Sequence, residues 1–251
     1  SPEYAMKRLL VGGVPRCFQL AHAFRRGEVG SRHNPEFLML EWYRAYATME
    51  HVLDDTEQLV RFVVSEMLGG TKIEVSGTVV DLGVPFERLT VGAAFERYAG
   101  VSAKDAVALA NDDEESFFRA LIDDVEPRLE AETHAIFLTD YPASQASLAR
   151  MRPSDPSVCE RFELFVGGVE LCNGFGELTD PREQRVRLLR DQEARRAASK
   201  AVYPVDERFL AALEEGMPPS AGNALGVDRL VALCLGTDRI ATVQAFPVGW
   251  L

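Results

Sequence analysis

Basic residues are scarce in this chain: 27 lysines and arginines face 39 aspartates and glutamates, a formal net charge of −12 over 251 residues. Affinity for nucleic acid usually rests on a positive surface that neutralises phosphates. The balance therefore speaks against extensive tRNA contact and leaves room only for a local basic patch. Long apolar runs are missing as well. No stretch approaches the roughly 18 residues that a membrane helix needs, and no charged-then-apolar leader opens the chain, so no membrane association and a cytoplasmic domain are expected. Cysteine is sparse: Cys17, Cys159, Cys172 and Cys234 sit among apolar neighbours and form no CxxC pair. They read as buried free thiols in a reducing cytosol rather than metal ligands or disulfides. The remainder, 47% hydrophobic and 26% charged, suits one globular domain with a small insertion.

Along the chain, residues 2–12 read as a helix stopped by Gly12 and Gly13. Two aromatic-rich runs, Cys17–Arg25 and Pro35–Arg44, flank the polar loop GEVGSRHN and predict a long antiparallel hairpin. Residues 50–68 repeat apolar groups at helical spacing and end at Gly69 and Gly70. From about 71 to 133 the pattern weakens into short amphipathic helices with an acidic stretch at 112–115, the expected helical insertion. A buried strand (135–142) and a strand–turn–strand unit (159–178) follow. Asp180, Pro181 and Glu183 predict a capped helix start with a capping box. Another helix runs from Asp206 to Gly216, and GNALGVDRLVALCLG reads as a glycine-rich lead into an apolar helix. The sum is an α+β domain, a mostly antiparallel sheet with helices against it.

Gly167-Gly168 fits a two-residue hairpin turn. Val166 then faces Val169, Phe165 faces Glu170, and Glu163 faces Cys172, leaving Glu163 and Glu170 as diagonal neighbours on one sheet face. Two close carboxylates repel unless a cation lies between them, and Mg²⁺ commonly takes one or two carboxylates plus substrate phosphates. A solvated face fits the same two residues. Glu177 falls on the opposite face by strict alternation, and a bulge at Gly174 or Gly176 would bring it back. In the first hairpin, Leu38, Leu40 and Trp42 alternate toward the core, while Phe37, Met39, Glu41 and Tyr43 share the other face. Arg25 ends a strand beside Arg26, Arg32, His33 and Asn34, where a guanidinium fork suits phosphate; a charged surface loop is the other reading. Arg229 lies in the first turn of the last helix, where positive charge is unfavourable and invites an anion. An Asp228–Arg229 surface pair competes with that.

Together these segments resemble class II aminoacyl-tRNA synthetases of the lysine branch. FRRGEVGSRHNPEFLMLEWY (24–43) resembles motif 2 and GNALGVDRL (222–230) resembles motif 3, while SPEYAMKRLL and ELCNGFGEL resemble the lysine-pocket segments. YPASQASLA, EWYR and Ala224 look most like the shortened paralogues that attach (R)-β-lysine to a lysine of elongation factor P. The resemblance implies a class II antiparallel sheet flanked by helices over 1–251, ATP and Mg²⁺ as cofactors, and lysine or β-lysine as substrate.

It also implies roles. Arg25 would hold the α-phosphate and Arg229 the γ-phosphate, with Phe37 stacked on adenine. His33, Asn34, Leu171 and Gly226 would line the nucleotide site. Glu163 and Glu170 would bind Mg²⁺. Ser1, Pro2, Glu3, Tyr43, Glu177 and Ala224 would form the amino-acid pocket. Motif 2 of the family usually reads arginine, any residue, glutamate; Gly27 stands in the glutamate's place here, so Glu28 would take over the adenine contact. Motif 1, which builds the family's dimer interface, is not found, and a homodimer is expected where that region is present. Three functions compete: a ligase acting on elongation factor P, the core of a tRNA-charging enzyme, and a non-catalytic lysine- or nucleotide-binding paralogue.

Overall fold

The computed structural model describes residues 1–248, so the last three residues of the expected 1–251 domain lie outside the described residues. Helix α1 (Glu3–Val11) leads into the hairpin of β1 (Arg16–Phe24) and β2 (Glu36–Ala45), followed by helix α2 (Met49–Leu68). Residues 71–133 are not wholly helical as expected. They begin with a hairpin, β3 (Lys72–Val75) and β4 (Thr78–Asp81), and a further strand, β5 (Glu87–Thr90). The helices come after these: α3 (Val91–Ala94), α4 (Ala103–Asp112), α5 (Glu114–Ala120) and α6 (Glu126–Leu129). Ile73 and Val75 point inward while Lys72 and Glu74 stay exposed; an alternation this short is easily mistaken for part of a helical period.

The chain continues through β6 (Ile136–Pro142), β7 (Met151–Arg152), β8 (Asp155–Val166) and β9 (Val169–Gly176). Helices α7 (Pro181–Ala197) and α8 (Glu207–Gly216), strand β10 (Ser220–Gly226) and helix α9 (Val227–Cys234) complete it. The main sheet runs β1-β2-β10-β9-β8-β6-β5, with β7 beside β8. All neighbours are antiparallel except β5 and β6. The glycine-rich lead into α9 is thus no loop but the strand between β2 and β9. Asp180 Oδ1 caps α7 by accepting the amides of Arg182 and Glu183. Glu183 does not close the expected capping box; it pairs with Arg187 at 2.9 Å.

One sheet face packs Phe162, Leu164, Cys172 and Leu225 against Val52, Leu53, Val60 and Val64 of α2 and Leu230 and Leu233 of α9. Burying each such side chain favours the fold by roughly 1.5–3 kcal/mol relative to exposure. A second core gathers α3–α6 around Leu138, Tyr141 and Phe165. A third joins Met6 and Leu10 of α1 to Tyr43 and to Phe209, Leu210 and Leu213 of α8. On the opposite face, residues of β2, β10, β9 and β8 line an open cleft together with the start of α1 and the first turn of α9, and that cleft is the site. On β2 the site-facing residues Met39, Glu41 and Tyr43 are buried, whereas Leu38, Leu40 and Trp42, expected toward the core, are only half-buried.

Candidate active site

Glycines shape the floor of the cleft. Gly167 and Gly168 take positive φ, 55° and 72°, and turn β8 into β9 as expected. The register differs beyond the turn: Phe165 pairs with Glu170, but Leu164 pairs with Cys172, so Leu171 is an extra residue in the ladder. Glu163 therefore faces Asn173 and not Cys172. The bulge, at Leu171 rather than at Gly174 or Gly176, reverses the alternation downstream. It puts Asn173, Phe175 and Glu177 on the side of Glu163 and Glu170.

The resulting cleft, about 430 Å³, is lined at one end by Arg25, Glu28, His33, Asn34 and Phe37, and at the other by Ser1, Glu3 and Phe175. Arg229 joins the first group through His33, and Glu163, Glu170, Leu171, Ala224 and Gly226 also line the cleft. Three expected pocket residues do not line it: Pro2 precedes the first turn of α1, and Tyr43 and Glu177 are buried behind Glu3.

At the polar end, Arg229 donates to the Glu170 carbonyl at 2.7 Å and lies 3.4 Å from its carboxylate. It does not pair with Asp228, whose carboxylate instead accepts the Leu38 amide at 2.6 Å and ties α9 to β2. Arg25 lies 3.4 Å from Glu28 and covers the Phe37 ring, 5.3 Å from its centroid. A base stacking on that face of Phe37 requires Arg25 to swing away. Asn34 lines the cleft with its amide held in place: it donates to the Glu36 carbonyl and accepts from the Val248 amide. A methyl at Gly226 would meet only ordinary contacts, 3.7 Å from Arg229 Cδ and from the Leu171 carbonyl. Nothing inside the protein demands glycine there, so any need for it is set by what the cleft holds.

The two proposed magnesium carboxylates are close enough to repel. Burial and the Glu163 charge push the Glu170 carboxyl above its usual range, and the nearby Glu126 is raised by burial and by both glutamates. Glu163 is already held by Arg161 at 2.7 Å and by the Tyr141 hydroxyl at 2.7 Å. Among the described residues no three metal-ligating side chains converge. Two neighbouring carboxylates whose repulsion Arg161 and Arg229 offset only in part fit Mg²⁺, an ion that takes few protein ligands and completes its shell with phosphate and water.

At the other end is a carboxylate cluster. Ser1 donates its hydroxyl to Glu41, and Tyr43 donates to the same carboxylate at 2.9 Å. Burial raises the Glu41 carboxyl. Glu177 is fully buried, its carboxyl pushed up to about 7 by burial against the pull of Lys7. Lys7 Nζ lies 2.6 Å from Glu3 and 2.6 Å from Glu177 Oε2. Glu177 Oε2 is thus ion-paired, while Oε1 has no hydrogen-bond partner. Unsatisfied buried carboxylate oxygens are costly and mark a place for a ligand's donors.

Lys7, Glu41, Arg161 and Asp228 are site residues whose roles sequence reasoning missed. Lys7 had a signal, its four-residue spacing from Glu3 on α1, and Glu41 had its alternation with Tyr43. Arg161 stands two residues from Glu163, on the same side of β8, whereas Asp228 acts through Leu38, distant in sequence.

An antiparallel sheet joining paired arginines at one end of a cleft to a buried carboxylate cluster at the other defines a class II synthetase catalytic domain. The chain belongs to that family: residues 1–249 match the tRNA synthetases of class II (D, K and N). It is 43% identical, over 99% of its length and 76% of the relative's, to the elongation factor P–(R)-β-lysine ligase of Proteus mirabilis. The same-named protein of Edwardsiella ictaluri is 42% identical over 99% of this chain and 76% of its own. The lysine–tRNA ligase of Pelotomaculum thermopropionicum is 38% identical over 99% of this chain, which spans 52% of that protein. Among the described residues no helix is long and apolar enough to cross a membrane.

Proposed function

We infer that the chain activates lysine or (R)-β-lysine with ATP as an acyl-adenylate and transfers it to a lysine of elongation factor P. The observation that carries this reading is the cluster of Glu3 and the buried Glu41 and Glu177, only partly neutralised by Lys7, at the end of the same cleft that holds Arg25 and Arg229. Glu3, Glu41 and Glu177 would take the substrate's ammonium groups. Its carboxylate would then attack the α-phosphorus in line, with pyrophosphate leaving. Arg25 stabilises charge developing on the α-phosphate oxygens, and Arg229 holds the terminal phosphate. Mg²⁺, held by Glu163 and Glu170, would supply Lewis-acid neutralisation of the phosphates. Positioning provides much of the rate, since little proton transfer is needed before the acceptor arrives. The acceptor amine then attacks the acyl carbon, AMP departs, and the amine proton passes to water.

Elongation factor P as acceptor is supported by the names of the 42–43% identical relatives and by the acidic balance, which disfavours tRNA. A cytoplasmic setting is supported by four free cysteines, three of them buried. An exposed apolar row on β1, Phe18, Leu20 and Phe24, supports a homodimer. ATP–pyrophosphate exchange with each lysine isomer tests the activation step, and labelled acceptor protein tests the transfer. Exchange with α-lysine alone, and charging of tRNA, would instead favour the reading carried by the lysine–tRNA ligase relatives.

A further inference from the structure

Among the described residues, Lys7 is the lysine or arginine set among the three carboxylates at the closed end of the cleft. It is 1% exposed, and its ammonium touches Glu3 and Glu177 while lying 6.0 Å from the Tyr43 ring centroid and 5.8 Å from that of Phe175. A buried lysine ordinarily loses its proton. Burial acts that way here too, but the Glu177 and Glu3 carboxylates outweigh it and raise the group above its ordinary value. The groups facing Glu177 are Lys7 and Glu3 from α1 and Glu41 and Tyr43 from β2, while β10 offers only Gly222 at closest approach. With all three carboxylates ionised and Lys7 charged, the end of the cleft carries two negative charges. A diamino acid brings two ammonium groups.

We propose that Lys7 is the positioning residue of the ammonium subsite: bridging Glu3 and Glu177 from beneath, it fixes both carboxylates and cancels one charge, matching the pocket to a substrate with two ammonium groups. The geometry separates this from a structural ion pair. Lys7 occupies only part of the pair: Glu3 still lines the cleft, and the buried Glu177 keeps Oε1 without a hydrogen-bond partner. The inference rests on the lysine-activating reading above.

The test is ATP–pyrophosphate exchange by Lys7→Gln and Lys7→Arg against the native protein, with melting curves to confirm folding. Lys7→Gln keeps amide donors and removes the charge. Its KM for the preferred lysine isomer should rise about tenfold or more while kcat changes less than about threefold. The acidic limb of kcat/KM should move upward by roughly one pH unit, because Glu177 loses its cation. Lys7→Arg should restore both. A second measurement needs no variant: the ¹⁵N-labelled Lys7 ammonium should shift when the lysine substrate binds to the native protein. Native exchange with a Lys7→Gln variant of unchanged KM and limb, or a Lys7 resonance indifferent to substrate, overturns the role of Lys7 alone. A native protein that exchanges with no lysine isomer overturns the underlying reading instead.

Discussion

Arg229 Nη2 lies 2.9 Å from His33 Nε2, so helix α9 and the loop between β1 and β2 meet at one pair of side chains. Burial and the Arg229 charge hold the His33 imidazole below its ordinary range, which leaves it neutral and able to accept from the guanidinium. Arg229→Ala should lower pyrophosphate exchange by about 100-fold or more. Losing the hydrogen bond to the Glu170 carbonyl should cost only about 1 kcal/mol in denaturant unfolding. Native exchange in that variant would remove Arg229 from the phosphate site.

The Glu177 carboxyl, near 7 through burial, gives two pH dependences of opposite sign. Binding of a substrate ammonium needs the carboxylate, so kcat/KM should climb as pH rises through about 7 and then level. Stability runs the other way. The folded protein holds this proton more tightly than the unfolded chain does. The group's contribution is therefore full below the ordinary carboxylate range and lost as pH rises through about 7. A flat kcat/KM between about pH 6 and 8 would exclude Glu177 from substrate binding.

Gly222 and Gly226 should respond differently to a methyl group. A Cβ on Gly222 would sit 2.2 Å from Tyr43 Cδ1 and 2.9 Å from Glu177 Oε1. Gly222→Ala should cost about 1–3 kcal/mol and raise the KM for lysine. Gly226→Ala should leave stability within about 0.5 kcal/mol and act on the KM for ATP. Equal denaturant midpoints for the two variants would contradict the packing described.

Glu170→Gln should relieve the repulsion with Glu163, leaving metal-free stability unchanged or higher. The Mg²⁺ concentration for half-maximal exchange should rise by about tenfold. An unchanged magnesium requirement would count against Glu170 as a ligand.

Ala224 stands on the cleft floor between Glu41 and Asn173. If its methyl shapes the amino-acid pocket, Ala224→Gly should shift preference toward α-lysine. Paired KM and kcat values for the two isomers check this, and an unaltered β-to-α ratio would refute it.

The hairpins, helices and cleft-lining arginines were legible because each rests on local pattern: alternation around Gly167-Gly168, apolar spacing over α2, the Asp180 cap. The bulge was not, because Glu170 and Leu171 sit in an ordinary strand sequence and only pairing with Leu164 and Phe165 shows the extra residue. With it went the side on which Glu177 lies. Strand β10 was hidden for a related reason. Its glycines look like a loop in sequence, yet Gly222 is small because Tyr43 and Glu177 crowd it from other strands. The faces of β2 misled likewise: a carboxylate as buried as Glu41 reads as exposed until Ser1 and Tyr43 are seen to hold it.

The most direct measurement is ATP–pyrophosphate exchange with (R)-β-lysine and α-lysine in parallel, with and without Mg²⁺. The account predicts magnesium-dependent exchange that favours β-lysine. No exchange with either isomer, in protein shown to be folded, would contradict it.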